Sequence, residues 1–401
     1  MRKPTSKTKS TDRSTFLNDR RNLKMARSAH AYVRGNTARF YEWLGSAEAV
    51  DIPAGPPVWI CGDCHVGNLG PVASAKGRID VQIRDLDQTV IGNPAHDLIR
   101  LGLSMASAAR GSDLPGVMTS RIVEQLVLGY EAAFDDDTCL AAADRPQAIE
   151  KTLKDALKRN WKQLARERIK DTTPKIPLGR TFLKLDKIER AAVDDLFRQD
   201  KIRRLVTSLK SRDDDASIEV LDAAFWVKGC SSLGLLRYAV LVGIGGEGGE
   251  LCLVDIKEAV RAVAPAAQGA DMPKDNAERV VAGAWHLSPA LGERMQSAEL
   301  LGRSVFIREL MPQDLKFEIE HLTADEALKV AFYLAAVVGK AHARQLTDEA
   351  RAAWRKQLAR HRTKTLDAPT WLWTSVVDLL AHHEKAYLEH CRKYAALAPA
   401  A

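Results

Sequence analysis

Asp63 and Asn68, five places apart, and Asp85 and Asp87, which follow a short apolar strand at Ile79–Ile83, are the side chains on which chemistry can be built. One Asp can orient a hydroxyl and accept its proton, while an Asn and an Asp supply hard oxygen ligands for a magnesium ion shared with phosphates and water. Phosphoryl transfer from a nucleotide needs that set, because catalysis there is mostly positioning and charge neutralisation. Taken alone, Asp63 reads as a turn residue bonding its own backbone. In the company of His65, Asn68, Asp85 and the segment Gly92–Asp97 it reads as catalytic, with His65 beside it. Asn68 and Asp85 are the expected metal ligands, and Asp87 either replaces Asp85 or caps the next turn. Asp97 is expected to cap, or to brace the catalytic loop, at the start of a helix from Leu98.

A second constellation lies in FWVKGCSSLGLLRYAVLVGIGGEGGELCLVDIKEA, from Phe225 to Ala259. A strand runs into Gly229–Gly234, two more strands follow, and the last ends at Lys257. Gly229 and Gly234 let the turn approach phosphates, and Ser231 and Ser232 offer hydroxyl and backbone donors. Lys257 would reach the α- and β-phosphates of ATP and pair with a Glu on the next helix. Glu278 is the natural candidate for that Glu, with Glu250 and Glu258 also near in sequence.

The spacing in CGDCHVGNLG and DLDQT resembles the catalytic and metal loops of aminoglycoside-phosphotransferase-type kinases, roughly H-G-D-x-H-x-x-N and then I-D-F or I-D-W. Cys61 stands where that pattern has its first His; a Cys packs there but bonds the DLD segment only weakly. With KMARSAHAYVRGNTARFY, KGCSSLGLLRYAVLV, DIKEA and FIRELMPQDLKF added, the chain resembles the bacterial domain-of-unknown-function 2252 family, distantly related to kinase-like phosphotransferases. The resemblance implies an α+β, two-lobed kinase-like fold. The glycine loop follows the catalytic loop by about 160 residues, so the fold must be circularly permuted, which surface termini tolerate. An ATP- and magnesium-dependent phosphotransferase with an unknown hydroxyl acceptor is the expected activity. Protein adenylyl transfer, or nucleotide binding without catalysis, are the rivals on the same fold.

The elements that must hold these residues follow from the rest of the chain. Its 401 residues suffice for two or three compact units, and 46% hydrophobic with 28% charged residues is ordinary globular composition. A large part is expected over 1–215, a small sheet part over 216–316 after the polar turn at Ser211–Ser217, and a helical remainder over 317–401. Leu23–Leu44 is read as one helix, Leu98 to Leu209 as largely helical, and Asp325–Gln345 as a core helix because it is apolar almost all round. Ser304–Leu310 would be the last strand of the small part.

No apolar run approaches the ~18 residues of a membrane span, and the basic N-terminal segment lacks the apolar stretch of a secretory signal. It reads as a partly disordered arm of a cytoplasmic protein. The net charge of +7 is spread among acids with no basic block interleaved by aromatics, which argues against nucleic acid as principal ligand. Cys61-Gly-Asp-Cys64-His65 also matches a c-type haem or zinc pattern, but no second Cys/His pair at metal spacing follows. The remaining histidines, His286, His342, His382 and His383, are assigned to structure or surface.

Overall fold

The computed structural model describes residues 10–46, 52–112, 114–135, 140, 145–168, 175–208, 212–229, 233–246, 249–315, 317, 322–360, 362 and 366–394. In chain order these form α1 (Ser10–Met25), α2 (Ala29–Gly35), α3 (Thr37–Ser46), β1 (Val58–Ile60), β2 (Leu69–Ala73), β3 (Ile79–Ile83), β4 (Val90–Gly92), α4 (Pro94–Gly111) and α5 (Met118–Asp135). There follow α6 (Gln147–Lys158), α7 (Trp161–Arg168), β5 (Phe182–Lys184), α8 (Lys187–Phe197), α9 (Asp200–Thr207), β6 (Ile218–Trp226), β7 (Arg237–Ile244) and β8 (Glu250–Glu258). Last come α10 (Asn276–Leu287), α11 (Pro289–Gly292), β9 (Met295–Leu300), β10 (Arg303–Leu310), α12 (Ala324–Ala343), α13 (Asp348–Leu358) and α14 (Thr370–Tyr394).

Helix and sheet are mixed, and the principal sheet is antiparallel, in the order β5-β6-β7-β8-β10-β9. Its strands are rich in Val, Ile, Leu and Tyr, which suits a pleated surface buried on both sides. One face packs Tyr238, Val240, Val254 and Ile307 against Val193 and Phe197 of α8, Ile202 of α9 and Leu17 of α1. The other carries Trp226, Leu241, Leu253 and Leu310 against Leu164 and Ala165 of α7. Two small ribbons, β1–β4 and β2–β3, present the chemically interesting loops.

The helical core is built around α4, α5, α12 and α14. Thr323 caps α12 through Glu326 N–H, and Asp325 and Glu326 in its first turn face the positive end of the helix dipole. That helix is the buried one expected at Asp325–Gln345. It meets α5 backbone to backbone. A Cβ on Gly129 would stand 2.0 Å from the Phe332 carbonyl oxygen, and one on Gly339 would stand 2.6 Å from that of Tyr130.

Three expectations meet a different arrangement. The stretch Leu23–Leu44 is not one helix but the end of α1, then α2 and α3, broken where Ser28 caps α2 and Asn36 ends it. The N-terminal arm is helical from Ser10, tied down by Leu17 and by an Arg13–Glu189 ion pair of 2.7 Å. The sheet also recruits β5, α8 and α9, all ahead of the expected boundary at the Ser211–Ser217 turn. Asp186 and Glu189 form a capping box on α8, and the same Glu189 carboxylate accepts from the Tyr238 hydroxyl at 3.0 Å.

Replacing Gly129 with Ala should force α5 and α12 apart and lower unfolding free energy by about 1–3 kcal/mol, the usual cost of overpacking. Urea denaturation reads this directly. A loss within about 0.5 kcal/mol, the range of ordinary surface substitutions, would mean that the helices are not in backbone contact.

Candidate functional site

The loop from β1 to β2 holds its shape through one buried carboxylate. Asp97, in the first turn of α4, accepts from Cys61 N–H at 2.7 Å and from Gly62 N–H at 2.9 Å. Asn93 and Pro94 begin that helix, so Asp97 is free of capping and acts as the brace. Gly62 has φ 73°, and a Cβ there would stand 2.1 Å from the Gln88 carbonyl oxygen, so only glycine fits. Behind Asp97 runs a polar chain through the core. Trp354 Nε1–H donates to the Tyr130 hydroxyl at 3.2 Å, that hydroxyl meets His342 Nδ1 at 2.9 Å, and His342 Nε2 meets Asp97 Oδ2 at 3.2 Å. With Tyr130 donating to Nδ1, the imidazole donates from Nε2 to Asp97.

One turn further along α4, the fully buried Arg100 reaches Asp63 Oδ1 with Nε at 3.0 Å and Nη2 at 2.9 Å. Burial raises the Asp63 pKa above the ordinary carboxylate value, and Arg100 only partly opposes it. A carboxylate of raised basicity, aimed at a cavity, is suited to taking a proton. His65 Nε2 lies 3.8 Å from Asp63 Oδ2, outside hydrogen-bond range. Burial, helped by Arg34 and Arg100, holds His65 well below its ordinary pKa and therefore neutral. Asn68 donates its Nδ2 to the Asp63 carbonyl at 3.0 Å, which leaves its Oδ1 as the available ligand atom.

From β3 the chain delivers Asp85 and Asp87 to Lys257 at the end of β8. Lys257 Nζ forms an ion pair with Asp87 and stands 3.5 Å from Asp85 Oδ1. Burial raises Asp85, but Lys257 and Arg308 outweigh it and hold its pKa well below the usual range. Asp87 is pushed up to about 6 by burial and by the neighbouring Asp85. Cys61 Sγ lies 3.5 Å from the Asp85 carbonyl, so the thiol does make the bond toward the DLD segment. Both loop thiols, Cys61 and Cys64, are buried, and among the described residues no three His, Cys, Asp or Glu side chains gather as a metal cage.

Asp63, His65, Asn68, Asp85 and Gly229 line one cavity of about 320 Å³. Gly229 and Gly234 both have positive φ, 104° and 110°; Gly234 borders a separate recess with Asp87. Ser231 and Ser232 lie outside the described residues. Glu278 is not brought to Lys257. Its neighbours Ala277, Arg279 and Val280 face the core, which turns Glu278 to solvent, where its N–H is capped by Asp275 at 2.9 Å. Arg279 takes the inward place and donates to the carbonyls of Asp87, at 3.1 Å, Val260 and Thr89.

Several residues here escaped the sequence reading. Arg237 clamps Asp255 at 2.8 and 2.5 Å, and Arg308 joins Asp255 at 3.4 Å while donating to the Arg84 carbonyl at 2.9 Å. Alternation along β7, β8 and β10 would have placed these on the face of Lys257, as the register Arg237↔Lys257↔Phe306 and Asp255↔Arg308 requires. Arg100 and His342 had no such local signal.

A family model described as an uncharacterized protein conserved in bacteria (DUF2252) matches residues 15–393. No curated protein and no solved structure matches the chain. No helix among the described residues is long and apolar enough to cross a membrane.

Two outcomes follow from this geometry. Asp97→Ala strands two buried N–H groups and the His342 donor, and should cost about 3–5 kcal/mol in denaturant unfolding, as expected when one partner of a buried ionic network is removed. A cost under about 1 kcal/mol would remove Asp97 as the brace. Burial also holds His30 and His96 near about 4 and His383 near about 3, with His65 low as well. The unfolded chain protonates such groups near 6.5, so stability is complete above that pH and falls as pH drops toward 4. The raised Asp63, Asp87 and Glu309 work in the opposite sense, and the four histidines outnumber them, which leaves a net proton uptake on unfolding near pH 5. Urea midpoints from pH 7.5 to 5 give that slope, and a flat profile would contradict the buried neutral histidines.

Proposed function

The chain belongs to the bacterial DUF2252 family, and from that premise we propose that it is an ATP- and magnesium-dependent phosphotransferase of kinase-like type. The observation that carries the reading is convergence. Asp63, Asn68, Asp85 and Lys257 come from the β1–β2 loop, the end of β3 and the end of β8, yet meet around one cavity and its wall. A site with no chemistry has no need to bring a base, two oxygen ligands and a phosphate-binding lysine together. Order within the sheet supports it further: a hairpin β6–β7, a third strand ending in the lysine, then a helix, as kinase-type nucleotide sites have.

In this reading Asp63, aimed by Arg100, takes the proton of the acceptor hydroxyl as that oxygen attacks the terminal phosphorus, and ADP leaves. Lys257 moves from Asp85 and Asp87 to the α- and β-phosphates. Gly229, on the lining of the cavity, would sit beside the phosphate chain. The donor set fits magnesium: Asp87 Oδ1 is buried without a hydrogen-bond partner, and Asn68 Oδ1 and the Asp85 carboxylate add hard oxygens. A magnesium ion held by these oxygens would supply positive charge against the phosphate oxygens. The Glu278 pairing is not part of the mechanism, since Glu278 faces solvent.

ATP with magnesium should raise the melting midpoint by mass action, by ~2.7 kcal/mol of stability at a hundredfold excess over the dissociation constant. Lys257→Ala should abolish that gain. Asp63→Asn should keep it while losing turnover by about 100-fold or more, the contribution of a positioned base. Full turnover in Asp63→Asn would take the base role from Asp63, and no response to any nucleotide would end the kinase reading. Product mass separates the two transfers, about +80 for phosphoryl against about +329 for adenylyl.

A further inference from the structure

Accepting the phosphotransferase reading, we infer that the acceptor carries an anionic group, a carboxylate or a phosphate, and that Arg34 binds it beside Asp63. Besides Arg34, the cations that line the cavity are Lys24, Arg84, Lys228, Arg237 and Arg308, with Lys257 beside Asp85. Arg237, Lys257 and Arg308 stand on β7, β8 and β10, and each is held by a carboxylate: Arg237 and Arg308 by Asp255, Lys257 by Asp85 and Asp87. These belong with a phosphate chain bound against the sheet. Arg34 comes from the other side of the fold, at the last turn of α2, and lines the same cavity.

Its guanidinium lies on the catalytic loop itself. A Cβ on Gly67 would stand 2.7 Å from Arg34 Cζ and Nη2 and 2.8 Å from Nε, so glycine at that place is what admits the arginine. Gly67 sits between His65 and Asn68, within the segment that carries the candidate base. Arg34 Nε is buried with no hydrogen-bond partner, and among the described residues no carboxylate forms an ion pair with Arg34. Nearby Arg100 differs in having an ion-pair partner, Asp63, and a bond to the Val33 carbonyl at 2.7 Å, although its Nη1 has no partner. A guanidinium with an orphaned buried N–H is costly until an acceptor arrives, and a planar oxyanion fits its fork. The Arg34 charge would neutralise that anion beside the like-charged Asp63, so that a neighbouring hydroxyl could approach the base.

Two oxyanions could claim Arg34, the acceptor's own group or the terminal phosphate of ATP. Thermal-shift titration of the full chain with sulfate, against sodium chloride at matched ionic strength, separates them. With magnesium and a saturating β,γ-imido analogue of ATP, the terminal phosphate position is filled. Wild type should still respond to sulfate, and Arg34→Met, which keeps the apolar stem on Gly67, should need at least about tenfold more, the equivalent of about 1.4 kcal/mol. Arg34→Lys, which keeps charge without the fork, should fall between and guards against a variant that merely folds poorly.

An equal response in wild type and Arg34→Met overturns the inference. So does a response seen with magnesium-ADP that disappears with the imido analogue, since Arg34 then serves the terminal phosphate. No shift from the analogue itself is a failure of the nucleotide reading, and it is recorded before any sulfate is added.

Discussion

Everything at this site hangs on how a carboxylate with no exposed surface, Asp97, obtains its donors. Burying a charge is costly unless it is hydrogen-bonded on all sides. Two donors come from the backbone of the loop it organises, and a third from His342 on α12. The loop therefore cannot shift without stranding the carboxylate, and α12 cannot shift without stranding the same group from behind. Because Arg100 lies one turn along α4, the helix that fixes the loop backbone also fixes the Asp63 side chain. Position and basicity of the candidate base are thus set by one helix, and that helix is locked by α5, α12 and the Trp354–Tyr130–His342 chain.

On the sheet side the constraint is electrostatic. Asp85, Asp87 and Asp255 are met by Lys257, Arg237 and Arg308, three acids against three bases on or beside neighbouring strands. Such a cluster is balanced internally, so opening the Lys257 contact requires a new anion for the lysine and a new cation for the acids. A metal-bound nucleotide brings both at once, whereas free nucleotide or free metal brings one. Arg308 also bonds the Arg84 carbonyl, which ties this balance to the strand that delivers Asp85.

How much of this the sequence revealed follows from where each signal lies. The Cys61–Asn68 loop and the DLD strand stood out because Asp63, Asn68, Asp85 and Asp87 sit within 25 residues of one another. The core helix α12 was legible from its apolar sequence, and the hairpin and Lys257 from glycine placement. Asp97 was narrowed to cap or brace, and only the position of Asn93 at the cap decides between them. Glu278 was mistaken for the inward residue of α10 because charge type, and not the helical face, guided the choice; the buried face at Ala277, Val280, Ala284 and Leu287 turns Arg279 inward instead. Contacts such as Arg100–Asp63 and His342–Asp97 have no local pattern, since their partners are set by packing. The place of β5, α8 and α9 on the sheet is likewise tertiary: β5 is only Phe182–Lys184, too short to stand out from its helical surroundings.

The link between Asp97 and His342 spans 245 residues. On a ribosome adding 5–20 residues per second, roughly 12 to 50 seconds separate the emergence of the two. Throughout that interval the nascent chain has the loop and its Asp97 but not the His342 partner. Until α12 emerges, Asp97 has only the Cys61 and Gly62 N–H groups as donors and lacks His342. Truncation ahead of α12 would therefore reach the loop around Asp97, encoded at the opposite end.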